Sequence, residues 1–326
     1  MTESAAGGKI QETDIGRYRS TRGLDYESVP WKLWEKSKKL FWDPADVDFS
    51  QDAIDWQEMS DEERTLVAMS ARGFMVGEEA VTLDIVPLLR CMSDLGRLED
   101  TMYLSMFAME EAKHTEMFRR WFDAVGLDPA SLDDLVLARQ AAVSEQQGER
   151  RAGIFDGALT KVMRRLDTDK SPQAILDASI IYNQLVEGVM AIAGYQRWER
   201  TFRRLGKLPG LEAGLKLTQR DERRHIAYGT YLARRVLAEN PELWEWLEKR
   251  WAKLTAGFSG GGYDAAGPQN TGPQTAVQRE DAELMEHYQR LSKRRLEALA
   301  VARTMNVTEV DASAIEAFEP EELQHA

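Results

Sequence analysis

The strings Glu110-Glu-Ala-Lys-His114 and Asp221-Glu-Arg-Arg-His225 decide the fold. In each string an acid precedes a glutamate, and a histidine follows that glutamate by three positions. Residues three positions apart share one face of a helix, where a carboxylate oxygen and an imidazole nitrogen can bind one metal ion. A similar Glu-x-x-His string at 322–325 has no helical pattern around it and receives no role. His287 is predicted to be a surface histidine.

Helical periodicity extends outward from both strings, and no segment has the alternating pattern of a strand. Four long helices are predicted: from Ser60 to about Ser93, from about Leu98 to Val125, from Pro172 to about Leu205, and from about Leu211 to Glu239. Shorter helices are expected at 31–41, 132–147, the residues up to 166, 242–256 and 278–305. The sequence therefore predicts an all-α protein, a four-helix bundle with additional flanking helices.

Two further glutamates are placed to meet the strings at the middle of the bundle. Glu78 precedes Glu111 by 33 residues, and Glu187 precedes Glu222 by 35 residues. A helix break lies near the midpoint of each interval, so the two members of each pair lie at the same height in an antiparallel hairpin. All four acids occupy apolar helix faces, where an uncompensated carboxylate is costly.

Two divalent cations would balance the four carboxylates. Dinuclear sites in ferritin-like bundles take their ligands from four helices: two helices supply one glutamate each, and the other two supply a Glu-x-x-His pair each. Buried acids that are protonated or paired with arginines are the alternative. The spacing favours a dinuclear metal site, with these predicted ligands: Glu78, Glu111, His114, Glu187, Glu222 and His225.

Composition narrows the class of protein further. The 326 residues carry a net charge of −13, which argues against nucleic-acid binding. A lone cysteine, Cys91, and the lack of a secretory pattern fit a soluble cytoplasmic protein. The most apolar stretch, 175–195, contains too many polar residues for a membrane span. We expect a flexible segment at 1–25, one ferritin-like di-metal domain at 26–305, a glycine- and proline-rich loop at 257–276 and a mobile acidic tail at 306–326.

From Leu40 to about residue 231 the sequence resembles the ligand-binding oxidases related to the ribonucleotide reductase small subunit. The resemblance rests on the segment Leu40–Ser50, on Gly77-Glu-Glu-Ala-Val81, on Tyr182 five residues before Glu187, and on the two histidine strings. It implies a manganese/iron centre, or a di-iron one, held by the six predicted ligands. It also implies activation of dioxygen, two-electron oxidation of a C–H bond, a homodimer, and a bound long-chain fatty acid whose carboxylate reaches the metals.

The resemblance gives roles to residues that spacing alone does not single out. Val81 and Tyr182 match the pair that these oxidases join by an ether bond, whereas the residues alone suggest ordinary core packing. Asp221 is expected to accept a hydrogen bond from His114, with Trp42 in the same network. Glu79 and Glu110 lie about 100° from the ligand faces and are interpreted as structural.

Two other functions remain open at this stage. The first is a radical-generating small subunit of a class I ribonucleotide reductase. Phe118 stands where many such subunits have the radical tyrosine, and no tyrosine follows Tyr288. The second and more distant alternative is a non-catalytic ferritin-like protein for metal storage.

Overall fold

The computed structural model describes residues 23–134, 157–256 and 276–321. Most of the segments predicted at 1–25 and 132–147, the loop at 257–276 and the string at 322–325 lie outside the described residues. The described residues contain helices and no strand, so the all-α prediction is confirmed. Eleven α-helices are named here in chain order: α1 Val29–Leu40, α2 Ser50–Glu58, α3 Asp61–Asp84, α4 Val86–Asp94, α5 Leu98–Val125, α6 Leu159–Arg165, α7 Pro172–Leu205, α8 Pro209–Glu239, α9 Leu243–Thr255, α10 Ala276–Ala300 and α11 Val307–Asp311.

The four long helices α3, α5, α7 and α8 form the bundle, and local sequence explains where they begin and end. Ser60 and Glu63 form a reciprocal capping box at the start of α3. Gly126 and Gly206 end α5 and α7 in the left-handed conformation, with φ of 70° and 61°. The helix predicted to continue to Ser93 instead divides at Ile85 into α3 and α4. Pro87 explains the division, because it lacks an N–H group and its ring hinders a continuous helix.

The middle of α7 is wound differently from an ordinary α-helix. Residues Ile180–Ala191 form a π-helix of 12 residues, which the sequence patterns did not predict. Residues five apart point about 140° apart in an α-helix, but the i→i+5 hydrogen bonds of a π-helix bring them onto nearly the same side. Tyr182 and Glu187 are five apart within this segment.

Helix α7 is also long and apolar enough to resemble a membrane span. Its most apolar 18-residue window, however, is 89% buried inside the protein. It packs against α8 and α10.

The C-terminal part of the chain differs from the sequence-based expectation. Residues 306–321 were expected to form a mobile acidic tail, yet Val310 and Phe318 are buried in the core and α11 packs on α8. The carboxylate of Glu319 pairs with Lys36 at 2.5 Å and with Arg223 at 2.7 Å. The buried side chains of Val310 and Phe318 and the paired carboxylate of Glu319 therefore fix a segment whose acidic composition suggested a mobile tail.

The prediction that His287 lies at the surface is wrong. It is buried, with 7% of its surface exposed. Helix α10 packs its apolar side, including Leu291, against Leu185 and Val189 in the π-helical segment. This packing covers a histidine that the sequence pattern of α10 alone leaves exposed.

Candidate metal centre

Six buried side chains converge at the middle of the bundle, one from α3, two from α5, one from α7 and two from α8. They form two groups whose potential ligand atoms lie within 4.8 Å of one another: Glu78, Glu111, His114 and Glu222 in the first, and Glu111, Glu187, Glu222 and His225 in the second. Glu111 and Glu222 belong to both groups. The structure thus brings together all six residues that the spacing of the sequence singled out.

The Nδ1 atoms of both histidines face the carboxylates. His114 Nδ1 lies 3.4 Å from Glu78 Oε2, and His225 Nδ1 lies 3.2 Å from Glu111 Oε1. Several buried atoms of the cluster have no hydrogen-bond partner in the described residues: both Nδ1 atoms, Glu111 Oε2, Glu187 Oε1 and Glu222 Oε2. Buried polar atoms without partners are costly. Their convergence in one place is the arrangement that a bound cation would satisfy.

The outer nitrogen of His114 is held by an acid from another helix. Its Nε2 lies 3.2 Å from Asp221 Oδ2, and the same oxygen accepts a 2.7 Å hydrogen bond from Trp42 Nε1. Lys113 Nζ lies 2.8 Å from it as well. A histidine whose second nitrogen is held in this way has a fixed ring orientation. The structure places Asp221 and Trp42 in the network that the resemblance implied for them.

His225 has a matching support that sequence reasoning missed. Its Nε2 lies 2.9 Å from Glu110 Oε2, and Glu110 is fully buried. Glu110 was interpreted as structural because it lies about 100° from the ligand face of its own helix. That direction leads to α8, where His225 lies. The acid before each ligand glutamate thus holds the histidine of the other string, and the presence of such an acid in both strings was the signal available in the sequence.

A buried arginine joins the two supporting acids. Arg224 Nη2 lies 2.5 Å from Glu110 Oε1 and 2.6 Å from Asp221 Oδ1, and Arg224 Nε donates to Ser37 Oγ at 2.8 Å. Ser37 and Arg224 have almost no exposed surface. One guanidinium therefore contacts the two acids that hold the two histidines.

Three more side chains contact the carboxylates from inside the core. Tyr182 Oη lies 3.3 Å from Glu111 Oε1 and 3.4 Å from the backbone oxygen of Val81. Asn183 Nδ2 donates to Glu187 Oε2 at 3.1 Å, and Tyr195 Oη donates to Glu222 Oε1 at 3.4 Å. Sequence reasoning found Val81 and Tyr182 only through the resemblance, and it did not identify Asn183 or Tyr195.

Burial and mutual repulsion change the acidity of the cluster. Burial raises the pKa of Glu78 to about 8 and also raises the pKa values of Glu187 and Glu222. Burial acts the same way on Glu111, but the two nearby histidines outweigh it and lower its pKa. Without cations the cluster therefore holds protons on some carboxylates, and bound cations would displace them.

The histidines show the opposite balance. Burial alone would lower the pKa of His114, but its hydrogen bond to Asp221 and the nearby carboxylates of Glu111 and Glu78 raise it. Burial would likewise lower the pKa of His225, but its contact with Glu110 and the nearby carboxylate of Glu111 raise it. In the metal-free cluster the imidazoles therefore favour the protonated form.

A cavity of about 1210 Å³ opens from the cluster and runs between α3 and α7. Glu78, Glu187 and Val81 line its inner end, and apolar residues such as Phe74, Met190 and Trp198 line its middle. A molecule in this cavity would have direct access to the carboxylates.

Comparison with known proteins gives a consistent family. Residues 24–256 match the sequence model of the ribonucleotide reductase small chain. The chain is 35% identical to the R2-like ligand-binding oxidase from Sulfolobus acidocaldarius, with a TM-score of 0.73 over 90% of this chain and 98% of that one.

Two further solved structures are R2-like ligand-binding oxidase variants with manganese/iron cofactors. A valine-to-leucine variant, aerobically reconstituted, is 34% identical, with a TM-score of 0.70 over 86% of this chain and 97% of that one. A glycine-to-phenylalanine variant, anaerobically reconstituted, is 30% identical, with a TM-score of 0.69 over 91% and 99%. These matches confirm the resemblance that the sequence motifs indicated.

Proposed function

Because the chain belongs to the ribonucleotide reductase small chain family, we propose that it is an oxidoreductase with a dinuclear manganese/iron centre that oxidises C–H bonds with dioxygen. The main support for this proposal is that the two ligand groups share Glu111 and Glu222. Carboxylates that belong to both groups can hold two cations next to each other. The manganese/iron cofactors of the solved relatives match the predicted metals and support this choice, and a di-iron centre is the variant of the same proposal.

The donor set fits two divalent cations. Glu78 and His114 would hold one, Glu187 and His225 would hold the other, and Glu111 and Glu222 would contact both. Four carboxylates offset two divalent charges, and oxygen and imidazole donors suit manganese and iron. When bound, the two metals supply the electrons that reduce dioxygen.

The surrounding residues orient the donors and exclude water. Asp221 and Glu110 fix the two imidazole rings, and Asn183 holds one oxygen of Glu187 so that Oε1 is the oxygen left for a cation. Phe107 stacks on His225 at a centroid distance of 3.7 Å, and apolar residues enclose the cluster. The low dielectric of this enclosure protects a reactive centre from side reactions.

We propose that Val81 and Tyr182 become joined by an ether bond between the Val81 Cβ and the Tyr182 oxygen. The reaction breaks the Cβ–H and O–H bonds and removes two protons and two electrons from the protein, with dioxygen as the acceptor. Both side chains are buried, and the Tyr182 oxygen already lies 3.4 Å from the backbone oxygen of Val81. Val81 also shares a helix face with Glu78, three residues earlier.

The cavity supports a second part of the proposal, a bound long-chain fatty acid or similar apolar molecule. Ligand cavities are typically about 300–1,000 Å³ and mostly apolar with a few polar groups, and this one reaches that size with the carboxylate cluster at its inner end. The solved relatives are named ligand-binding oxidases, which agrees with an occupant here.

Peptide mass spectrometry tests the proposal. Protein loaded with manganese and iron in air should yield one branched peptide pair containing Val81 and Tyr182, two hydrogen masses below the sum of its parts. An anaerobic sample and Tyr182→Phe should yield only linear peptides. Tyr195→Phe is a matched control, because Tyr195 is another buried tyrosine that contacts the cluster. Only linear peptides after full loading in air would contradict the crosslink.

A radical-generating reductase subunit is the second candidate, because the hydrogen-bonded series Trp42–Asp221–His114 links the cluster to the segment that follows α1. Such a subunit would support ribonucleotide reduction with a catalytic partner, whereas the oxidase would form the ether bond alone.

Light scattering tests the remaining predictions on assembly: a homodimer has twice the 37.0 kDa chain mass, and a storage protein forms a far larger shell. The cytoplasmic location stays a prediction.

A further inference from the structure

The cavity has two chemically different ends. Its inner end contains the carboxylate cluster, and its middle is largely apolar. At the outer end the lining includes the side chains of Arg197, Thr201 and Arg204 on α7. These three residues follow an i, i+4, i+7 pattern and so lie on one face of the helix. Asp61, Glu62 and Glu63 at the start of α3 line the same end, so this end carries charges of both signs.

The arginines lie at distances suited to a long molecule. Arg197 is ten residues after Glu187 and Arg204 is 17 residues after it. At 1.5 Å per residue these separations are roughly 15 and 25 Å along the helix axis. An extended chain with one end at the cluster would therefore bring its other end to the arginines.

Most of the acids at this end already have partners. Asp61 pairs with Arg64 at 2.6 Å, and Glu63 accepts hydrogen bonds from Ser60 in the capping box. Within the described part of the chain, the side chains of Arg197 and Arg204 form no hydrogen bond and no ion pair within 4.0 Å, although the charge of Arg204 contributes to lowering the pKa of Glu63, after the hydrogen bonds from Ser60. Both arginines are exposed enough to meet a molecule that enters the cavity.

We propose that Arg197 and Arg204 form a subsite for an anionic group at the outer end of a long-chain amphiphile whose apolar chain occupies the cavity. This inference rests on the proposed function, because it specifies the molecule bound in that cavity. An anion between two guanidinium groups forms charge-assisted hydrogen bonds, and the apolar middle stabilises the hydrocarbon chain. The cavity volume of about 1210 Å³ leaves room for a head group beyond the chain.

Calorimetric titration of the metal-loaded protein tests the subsite. The probes are hexadecanedioic acid, which has a carboxylate at each end, and hexadecan-1-ol, which has the same chain length without a charge. The test variant is Arg197→Gln with Arg204→Gln. The control is Arg203→Gln, which removes an exposed arginine from the same helix without altering the cavity lining.

The double variant should bind the diacid about tenfold more weakly than wild type, because it loses two charged contacts at a partly exposed site. Its affinity for the alcohol should stay within about twofold, and the control should bind both probes like wild type. High salt should reduce the difference for the diacid. Equal diacid affinity in all three proteins, or equal losses for diacid and alcohol, would overturn the subsite.

Metal content and the crosslinked peptide are measured on the same samples. Wild-type protein that lacks both would refute the proposed function, while the diacid and alcohol affinities would still decide on the subsite. Normal metal content and a normal crosslink in the double variant, together with weaker diacid binding, would assign the two arginines to recognition of the anion.

Discussion

Replacing Glu110 with Ala removes the carboxylate that joins Arg224 to His225. Glu110 is fully buried, and its oxygens lie 2.5 Å from Arg224 Nη2 and 2.9 Å from His225 Nε2. The variant therefore leaves a buried guanidinium with one acid, Asp221, instead of two. It also leaves an imidazole nitrogen without its partner.

The expected loss of stability follows from these contacts. Removing one partner of a buried ion pair costs about 3–5 kcal/mol, and the remaining contact of Arg224 with Asp221 favours the lower end. The entropy of unfolding is about 2.1 cal/mol/K per residue, so a loss of about 3 kcal/mol in a chain of 326 residues lowers Tm by roughly 4 °C. Loss of the contact to His225 should weaken metal binding by about 10–100-fold.

Calorimetric melting and metal titration of Glu110→Ala measure both effects. Glu79→Ala is the matched control, because Glu79 is an exposed glutamate beside a predicted metal ligand and should change stability by less than about 0.5 kcal/mol. If Glu110→Ala melts within 1 °C of this control and binds metal equally well, with ~1 °C taken as the resolution of the melt, the support assigned to Glu110 is wrong.

Three other perturbations have definite expected outcomes. In metal-free protein burial raises the pKa of Glu78 from its ordinary 4.5 to about 8, so between these values the folded state holds a proton that the unfolded state has lost. Tm should therefore fall as the pH rises from about 4.5 to about 8 and level off above it, while metal-loaded protein changes little. A Tm that rises with pH over this range would contradict the burial argument. Gly229→Ala places a Cβ 2.0 Å from Asn183 Cβ and should lower the free energy of unfolding by about 1–3 kcal/mol. Gly73→Ala, where a Cβ has no neighbour within 4 Å, should not destabilise the protein. Equal Tm values for the two variants would show that the close packing at Asn183 is unimportant. Glu111→Ala should retain fewer metal ions than Glu79→Ala after the same loading, as measured by elemental analysis, and equal stoichiometry would remove Glu111 from the ligand set.

The spacing of the sequence placed the four glutamates and two histidines together because it depends on simple geometry. Antiparallel helices bring residues at equal distances from a turn to the same height. The turns near Gly96 and Gly206 were visible as glycines, so the convergence of Glu78 with Glu111 and of Glu187 with Glu222 could be predicted.

The positions of Tyr182, Glu110 and Arg224 could not be predicted from helical spacing alone. Tyr182 lies beside Glu111 because the centre of α7 is a π-helix, whereas α-helical spacing turns it away from Glu187. Glu110 was assigned from the faces of its own helix, but its role depends on the neighbouring helix that carries His225. Arg224 and Ser37 meet across 187 residues of sequence. Contacts of that kind follow from packing and not from periodicity.

Anomalous diffraction from crystals of protein loaded with manganese and iron, recorded at both metal edges, tests the dinuclear centre most directly. Two adjacent metal positions are expected inside the bundle. One should contact Glu78 and His114, the other should contact Glu187 and His225, and Glu111 should contact both. A single metal, or metals bound only to acids at the protein surface, would contradict this expectation.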